Sequence, residues 1–201
     1  MNGTFTVHGR EHLKDIKGPM VFAANHVNDL DPVVTRAILP FIGKGKQTPL
    51  FWVARFRKDY DALADEPFEG WRGFLYSDWF FRVWGAYPAY RGTRDYGQSL
   101  RHHLRILKDG YSVCIFPQGG KAKLQGREAP VRGGAVFLAH EAGVPLIPIA
   151  IRGTRGIDFR TLFFKKTKIE VRILPPVQIP DGDVDYKGAA QKVMDSVYNV
   201  L

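Results

Sequence analysis

His26 and Asp31 lie five positions apart in the segment Asn25-His26-Val27-Asn28-Asp29-Leu30-Asp31-Pro32. An unperturbed imidazole has a pKa of about 6.5, which suits proton removal near neutral pH. A carboxylate beside it fixes the tautomer and stabilises the imidazolium that forms. The two residues are therefore a candidate general base and its orienting acid. On a continuous helix residues three or four apart share a face and residues five apart do not, so these side chains meet only if the chain turns between them. Pro32 supports a turn, because it disfavours helix at Asp31 and suits the first position of a new helix. Asp is also a good N-cap. A second reading stays open, in which Asp31 only caps a helix and His26 is an ordinary loop histidine.

Three later segments carry further chemistry. Phe116-Pro117-Gln118-Gly119-Gly120-Lys121 follows an apolar run. Its two glycines let backbone N–H groups approach an anion, and Lys121 adds positive charge. A plain strand-to-loop turn would look the same. Arg91 ends the run Gly85-Ala86-Tyr87-Pro88-Ala89-Tyr90-Arg91. A guanidinium there can grip phosphate oxygens in pairs, although a lone arginine at a strand end is commonly just solvated. Gly143 to Ile151 reads as a buried strand bounded by prolines.

The elements that would position these groups follow from periodicity. Short apolar, β-branched or aromatic runs predict strands at Thr4–His8, Met20–Ala24, Leu50–Ala54, Gly85–Tyr90, Ser112–Phe116, Leu146–Ile151 and Lys168–Leu174. Helices are expected at Pro32–Leu39, Gly73–Trp84, Asp95–Lys108, Gly133–Ala142 and Lys187–Leu201. In the third of these, Leu100, Leu104 and Leu107 form an apolar stripe against Arg101, Arg105 and Lys108, and Gly110 ends it. Strands alternating with helices predict an α/β fold, a sheet with helices packed on its faces.

Composition bounds the answer. The 201 residues suffice for one domain with a real core and are short for two. The segment Met1–His8 lacks a basic region followed by an apolar stretch, so no signal peptide is expected. No apolar run approaches the roughly 20 residues of a membrane span. The single cysteine, Cys114, excludes an internal disulfide and fits a reducing compartment. It falls in an apolar strand and is expected to be a small buried hydrophobe. Nothing resembles a zinc site, and no metal is expected. The net charge of +9 favours anionic partners: nucleic acid, acidic lipid headgroups or phosphorylated substrates. The basic residues are spread along the chain and no recognised nucleic-acid motif occurs, so nucleic acid is not the expected partner.

Taken in order, the segments resemble the glycerolipid acyltransferase family, the group that includes the 1-acylglycerol-3-phosphate acyltransferases. That family carries N-H-x-x-x-x-D, then G-x-x-x-x-x-R, then F-P-E-G-T-R, then a V-P-x-x-P-V strand. Here these stand at Asn25–Asp31, Gly85–Arg91, Phe116–Lys121 and Val144–Ile149. Arg132-Gly133-Gly134-Ala135 also looks like the basic-plus-glycine stretch before the fourth motif. Two departures stand out. The family's glutamate is Gln118, an amide that both accepts and donates, and its threonine and arginine are Gly120 and Lys121. Many members also have apolar helices before the first motif, of which this sequence shows almost nothing.

The resemblance implies a single domain over residues 1–201, with a mixed, mostly parallel sheet like that of glycerol-3-phosphate acyltransferase. It implies transfer of a fatty acyl group from acyl-CoA or acyl-carrier protein to a hydroxyl of a lysophospholipid or glycerol-phosphate acceptor. His26 would be the base and Asp31 its orienting partner. Arg91, Gln118, Gly119, Gly120 and Lys121 would bind substrate, and backbone N–H groups near Gly119 and Gly120 could face a developing oxyanion. No cofactor beyond the acyl donor is implied. A different acceptor (a glycolipid, another lysolipid or an amine) and a non-catalytic lipid-binding role remain alternatives. Peripheral attachment at the cytoplasmic face of a membrane is expected. The interleaved aromatics and arginines of Trp71–Trp84 are the first candidate contact, with a core helix as the other reading of that segment, and Phe163–Lys166 is the second.

Overall fold

The computed structural model describes residues 4–39, 49–54, 83–90, 95–120, 130–157 and 167–201. Its centre is a seven-stranded sheet. The strands are β1 (Thr4–His8), β2 (Val21–Ala24), β3 (Leu50–Ala54), β4 (Ala86–Pro88), β5 (Ser112–Ile115), β6 (Leu146–Arg152) and β7 (Lys168–Ile173). They lie side by side in the order β1-β7-β6-β2-β5-β3-β4. Every neighbouring pair is parallel except β6 with β7. The architecture is the expected α/β one, and all seven predicted strands are present within two residues of their predicted bounds.

Central strands of such a sheet are covered on both faces and so read as continuous apolar runs. β2 and β5 are buried at every position. Alternation then sorts their side chains between two cores. Val21 and Ala23 join Val113, Ile115, Leu146 and Ala150 on one face. Phe22 and Ala24 join Cys114, Ile147, Ile149 and Ile151 on the other. β7, nearer the edge, buries Ile169, Val171 and Ile173 and turns Lys168 and Arg172 outward. Pro148 sits inside β6, where a missing N–H is unusual. The ladder to β7 starts only at Ile149, so Pro148 falls beside its end.

The described α-helices are α1 (Asp31–Ala37), α2 (Tyr96–Ser99), α3 (Arg101–Lys108), α4 (Gly134–Ala142) and α5 (Tyr186–Tyr198). Residues of α3, α4 and α5 pack on the first face, while α1 and a 3-10 turn at Arg10–Leu13 cover the second. The single helix expected over Asp95–Lys108 is broken at Leu100 (φ −111°, ψ 16°). The cause is a tie to the end of β4. Tyr90 N–H donates to the Ser99 carbonyl at 2.9 Å, and Ser99 Oγ donates to the Tyr90 carbonyl at 2.7 Å. The expected helix Gly73–Trp84 lies outside the described residues except Val83 and Trp84, which are exposed.

Candidate active site

In open α/β sheets, ligands bind beyond the carboxyl ends of the parallel strands, because the loops there are free to vary while the sheet holds them. β2 ends at Ala24 and leads directly into the His26 turn; β5 ends at Ile115 and leads into Gln118. The two strands are hydrogen-bonded neighbours, so both turns leave the same edge side by side.

The turn at His26 is fixed on every side. Asn25 Nδ2 donates to the Ile151 carbonyl at 2.9 Å, and Ile151 N–H donates to Asn25 Oδ1 at 2.7 Å. This amide clamp carries the β2–β6 pairing one residue past the ladder. Asn28 Oδ1 accepts the Leu30 N–H at 2.8 Å, and its Nδ2 donates to the Ile157 carbonyl at 2.8 Å. Between them, Asp31 Oδ2 accepts from His26 Nδ1 at 2.9 Å, from Val27 N–H at 2.7 Å and from Asn28 N–H at 2.8 Å. The helix begins one residue earlier than expected, with Leu30 as N-cap and Asp31 already inside it. The Asp31 side chain therefore caps nothing in α1. It reaches back over the turn and holds the histidine.

This arrangement defines the chemistry of the ring. Asp31 is an acceptor toward Nδ1, so in the neutral imidazole Nδ1 carries the proton and Nε2 the lone pair. Asp31 is fully buried, whereas the His26 side chain keeps 16% of its surface exposed. Phe116 stacks on the imidazole with ring centroids 4.3 Å apart and planes 23° apart, which limits its rotation. A buried acid and a partly exposed ring that it orients are the arrangement that proton abstraction from a hydroxyl needs.

The chain is similar to proteins of known kind. The Acyltransferase family model matches residues 71–152. The 1-acyl-sn-glycerol-3-phosphate acyltransferase BAT2 of Brassica napus, a chloroplastic protein, is 28% identical over 155 residues, covering 75% of this chain and 38% of that protein. LPAT1 of Arabidopsis thaliana, with the same activity in its name, is 26% identical over 197 residues, covering 95% of this chain and 48% of its own length. The crystal structure of the 1-acyl-sn-glycerophosphate acyltransferase PlsC from Thermotoga maritima superposes with a TM-score of 0.65 at 21% identity, over 98% of this chain and 70% of that one. The chain is thus similar to the glycerolipid acyltransferases in sequence, and to one of them in fold. It spans about half the length, or less, of the curated relatives named here.

Against the family's motifs, the structure brings together Asn25, His26, Asp31, Gln118 and the Gly119–Gly120 turn. Arg91 and Lys121 lie outside the described residues, as do most of Trp71–Trp84 and all of Phe163–Lys166. Gly119 adopts φ +66°, so the turn favours glycine for its backbone, and the Arg132 side chain packs closely over it. Its N–H donates to the Phe116 carbonyl at 2.9 Å. That hydrogen closes the turn, which differs from its expected role toward an oxyanion. Gln118, expected to hold substrate, is buried with both ends of its amide bonded inside the protein. Its Oε1 accepts the His26 N–H at 2.7 Å and its Nε2 donates to Tyr198 Oη at 2.8 Å.

Tyr198 was not legible as a site residue. It lies 80 positions beyond Gln118, at the last turn of an amphipathic helix, where an aromatic reads simply as core. Burial pushes its phenol up, the Gln118 hydrogen bond pulls it back, and Asp195 adds to the rise. Cys114 is buried as expected; burial pushes its thiol up to about 12, Thr35 opposes, and the Asp31 charge pushes the same way.

Proposed function

We propose that this protein is an O-acyltransferase that moves a fatty acyl group from a thioester, acyl-CoA or acyl-carrier protein, to a hydroxyl of a 1-acylglycerol-3-phosphate-type acceptor, from a single domain. The His26–Asp31 contact of 2.9 Å, with Nε2 left as the lone-pair nitrogen, carries the reading. The names of the relatives supply the acceptor class.

In this mechanism His26 Nε2 takes the hydroxyl proton as the oxygen attacks the thioester carbonyl. A C–O bond forms and the carbonyl electrons move onto oxygen. The tetrahedral intermediate then expels the thiolate, and the imidazolium returns the proton to sulfur. The acceptor is itself the nucleophile, so no acyl-enzyme is required. Asp31 keeps the ring in the productive tautomer and stabilises it while charged. Arg91 and Lys121 are assigned to the anionic group of the acceptor, as guanidinium and ammonium charges suited to phosphate.

We place the protein peripherally at the cytoplasmic face of a membrane. No helix among the described residues is long and apolar enough to cross one. The net charge of +9 and the exposed Val83 and Trp84 suit an anionic surface.

A thiol-release assay with acyl-CoA and acyl-carrier-protein donors against a panel of lysophosphatidate, other lysolipids, glycolipids and amines, with mass analysis of products, tests the assignment. Acylated lysophosphatidate as the dominant product is the expected result. Preferred acylation of an uncharged acceptor would overturn the acceptor class, and no thiol release with any of them would overturn the activity.

A further inference from the structure

One polar connection reaches the base from outside the His26–Asp31 pair. It runs from the α5 helix, through a side chain of the β5 loop, to the main chain of His26 itself. Chemistry fixes its direction. The His26 N–H can only donate, so the Gln118 atom at 2.7 Å is the amide oxygen. The other end is then the NH₂ group, and it donates to the Tyr198 hydroxyl at 2.8 Å. Gln118 is 5% exposed and Tyr198 6%, so water does not freely replace either bond.

We propose that Gln118 and Tyr198 are a positioning pair for the His26 base. This rests on the general-base reading above and deepens it. The other anchors of the turn leave a specific gap. Asn25 ties the residue before the histidine to β6, and Asp31 takes the ring nitrogen and the N–H groups of Val27 and Asn28. The N–H of His26 itself is held by Gln118. The Phe116–Gln118 segment thus grips the histidine twice, at the face of the ring through Phe116 and at the main chain through Gln118. A glutamine side chain has three rotatable bonds and does not hold a position by itself. Tyr198 locks it from the far end, and α5 is packed against α4, β2 and β6. The C-terminal helix is in this way part of the catalytic geometry without touching substrate.

The residue type follows from that role. An amide serves an N–H on one side and a hydroxyl acceptor on the other. Glutamate, which the family motif carries here, preserves both contacts if the tyrosine hydroxyl turns round to donate. Methionine fills similar space and preserves neither.

The test uses the full chain with Gln118→Met, Gln118→Glu, Tyr198→Phe and the Met/Phe double variant, with His26→Ala as control. It reads kcat and KM for donor and acceptor, and hydrogen exchange of the His26 amide by NMR without substrate. Gln118→Met is expected to lower kcat about 10- to 100-fold with KM values within about twofold, as a displaced base should. Tyr198→Phe gives a smaller loss in kcat, and the double variant is no worse than Gln118→Met alone, because the two residues act in series. Gln118→Glu keeps kcat within about threefold of wild type, the conservative rescue that a positioning role allows. The His26 amide exchanges about tenfold faster or more in Gln118→Met and Tyr198→Phe, the loss of one protecting bond. A raised KM at unchanged kcat would make Gln118 a substrate contact and overturn the proposal. So would additive losses in the double variant, or amide exchange unchanged in a folded Gln118→Met protein. Should His26→Ala retain activity, the base reading fails on its own, and the exchange measurement still decides whether the pair holds that amide.

Discussion

Asp31 spends a single oxygen, Oδ2, on three N–H donors, one from the ring and two from the main chain. The same atom that orients the imidazole therefore also shapes the turn that presents it. Asp31→Asn replaces the charged acceptor with a neutral amide of nearly the same shape. The turn can survive on the remaining carbonyl oxygen, but the imidazolium loses its counter-charge and the ring its enforced tautomer. The expected outcome is a fall in kcat on the order of 10²–10⁴ with far-UV circular dichroism unchanged. A variant within tenfold of wild type would show that Asp31 serves only the fold. This pair was readable from sequence because a histidine, an acid and a proline at a spacing that forbids a helix leave a turn as the geometry that joins them. Gln118 was readable as part of a motif but not in its role. Its partner Tyr198 comes from a distant helix, and no local spacing signals a contact between side chains 80 residues apart.

At the scale of elements, α3 meets the sheet through His103, which is wholly buried and hydrogen-bonds the Tyr87 carbonyl at 3.1 Å through Nε2. Burial lowers its pKa to about 4, with the backbone carbonyls of Tyr87 and Trp52 pulling the other way and His102 adding to the fall. The unfolded chain binds a proton at about 6.5 and the folded chain does not until about 4. Stability from this group is thus complete above about pH 6.5 and is lost as pH falls toward 4, by roughly 3 kcal/mol in all. His103→Gln keeps a donor for Tyr87 but cannot titrate. Urea unfolding of this variant should show a flatter dependence between pH 6.5 and 4 than wild type; identical slopes would place the titration elsewhere. Periodicity located this helix well but not its break at Leu100, since the tie between Ser99 and Tyr90 is tertiary and leaves the hydrophobic pattern of Leu100, Leu104 and Leu107 intact.

Over the whole molecule, the sheet was the most legible feature. Its central strands are short apolar runs because both faces are covered, and that pattern is local in sequence. Strand order was not legible, because β2 lies between β5 and β6, both far along the chain. The +9 charge also acts at this scale, as a field rather than a contact. Binding to vesicles containing anionic phosphatidylglycerol should weaken steeply between 50 and 500 mM salt, and Trp84→Ala should reduce what remains at high salt. Sedimentation with neutral phosphatidylcholine vesicles equal to that with anionic ones would contradict the electrostatic part.

The proposed activity depends on the histidine following β2 being the group that activates the acceptor. Thiol release from acyl-CoA in the presence of 1-acylglycerol 3-phosphate, compared between wild type and a His26→Ala protein of matched circular dichroism and melting temperature, addresses it most directly. The account predicts a loss of at least about 100-fold in kcat for the variant, in line with removal of a general base. Turnover by His26→Ala within a few-fold of wild type would contradict it.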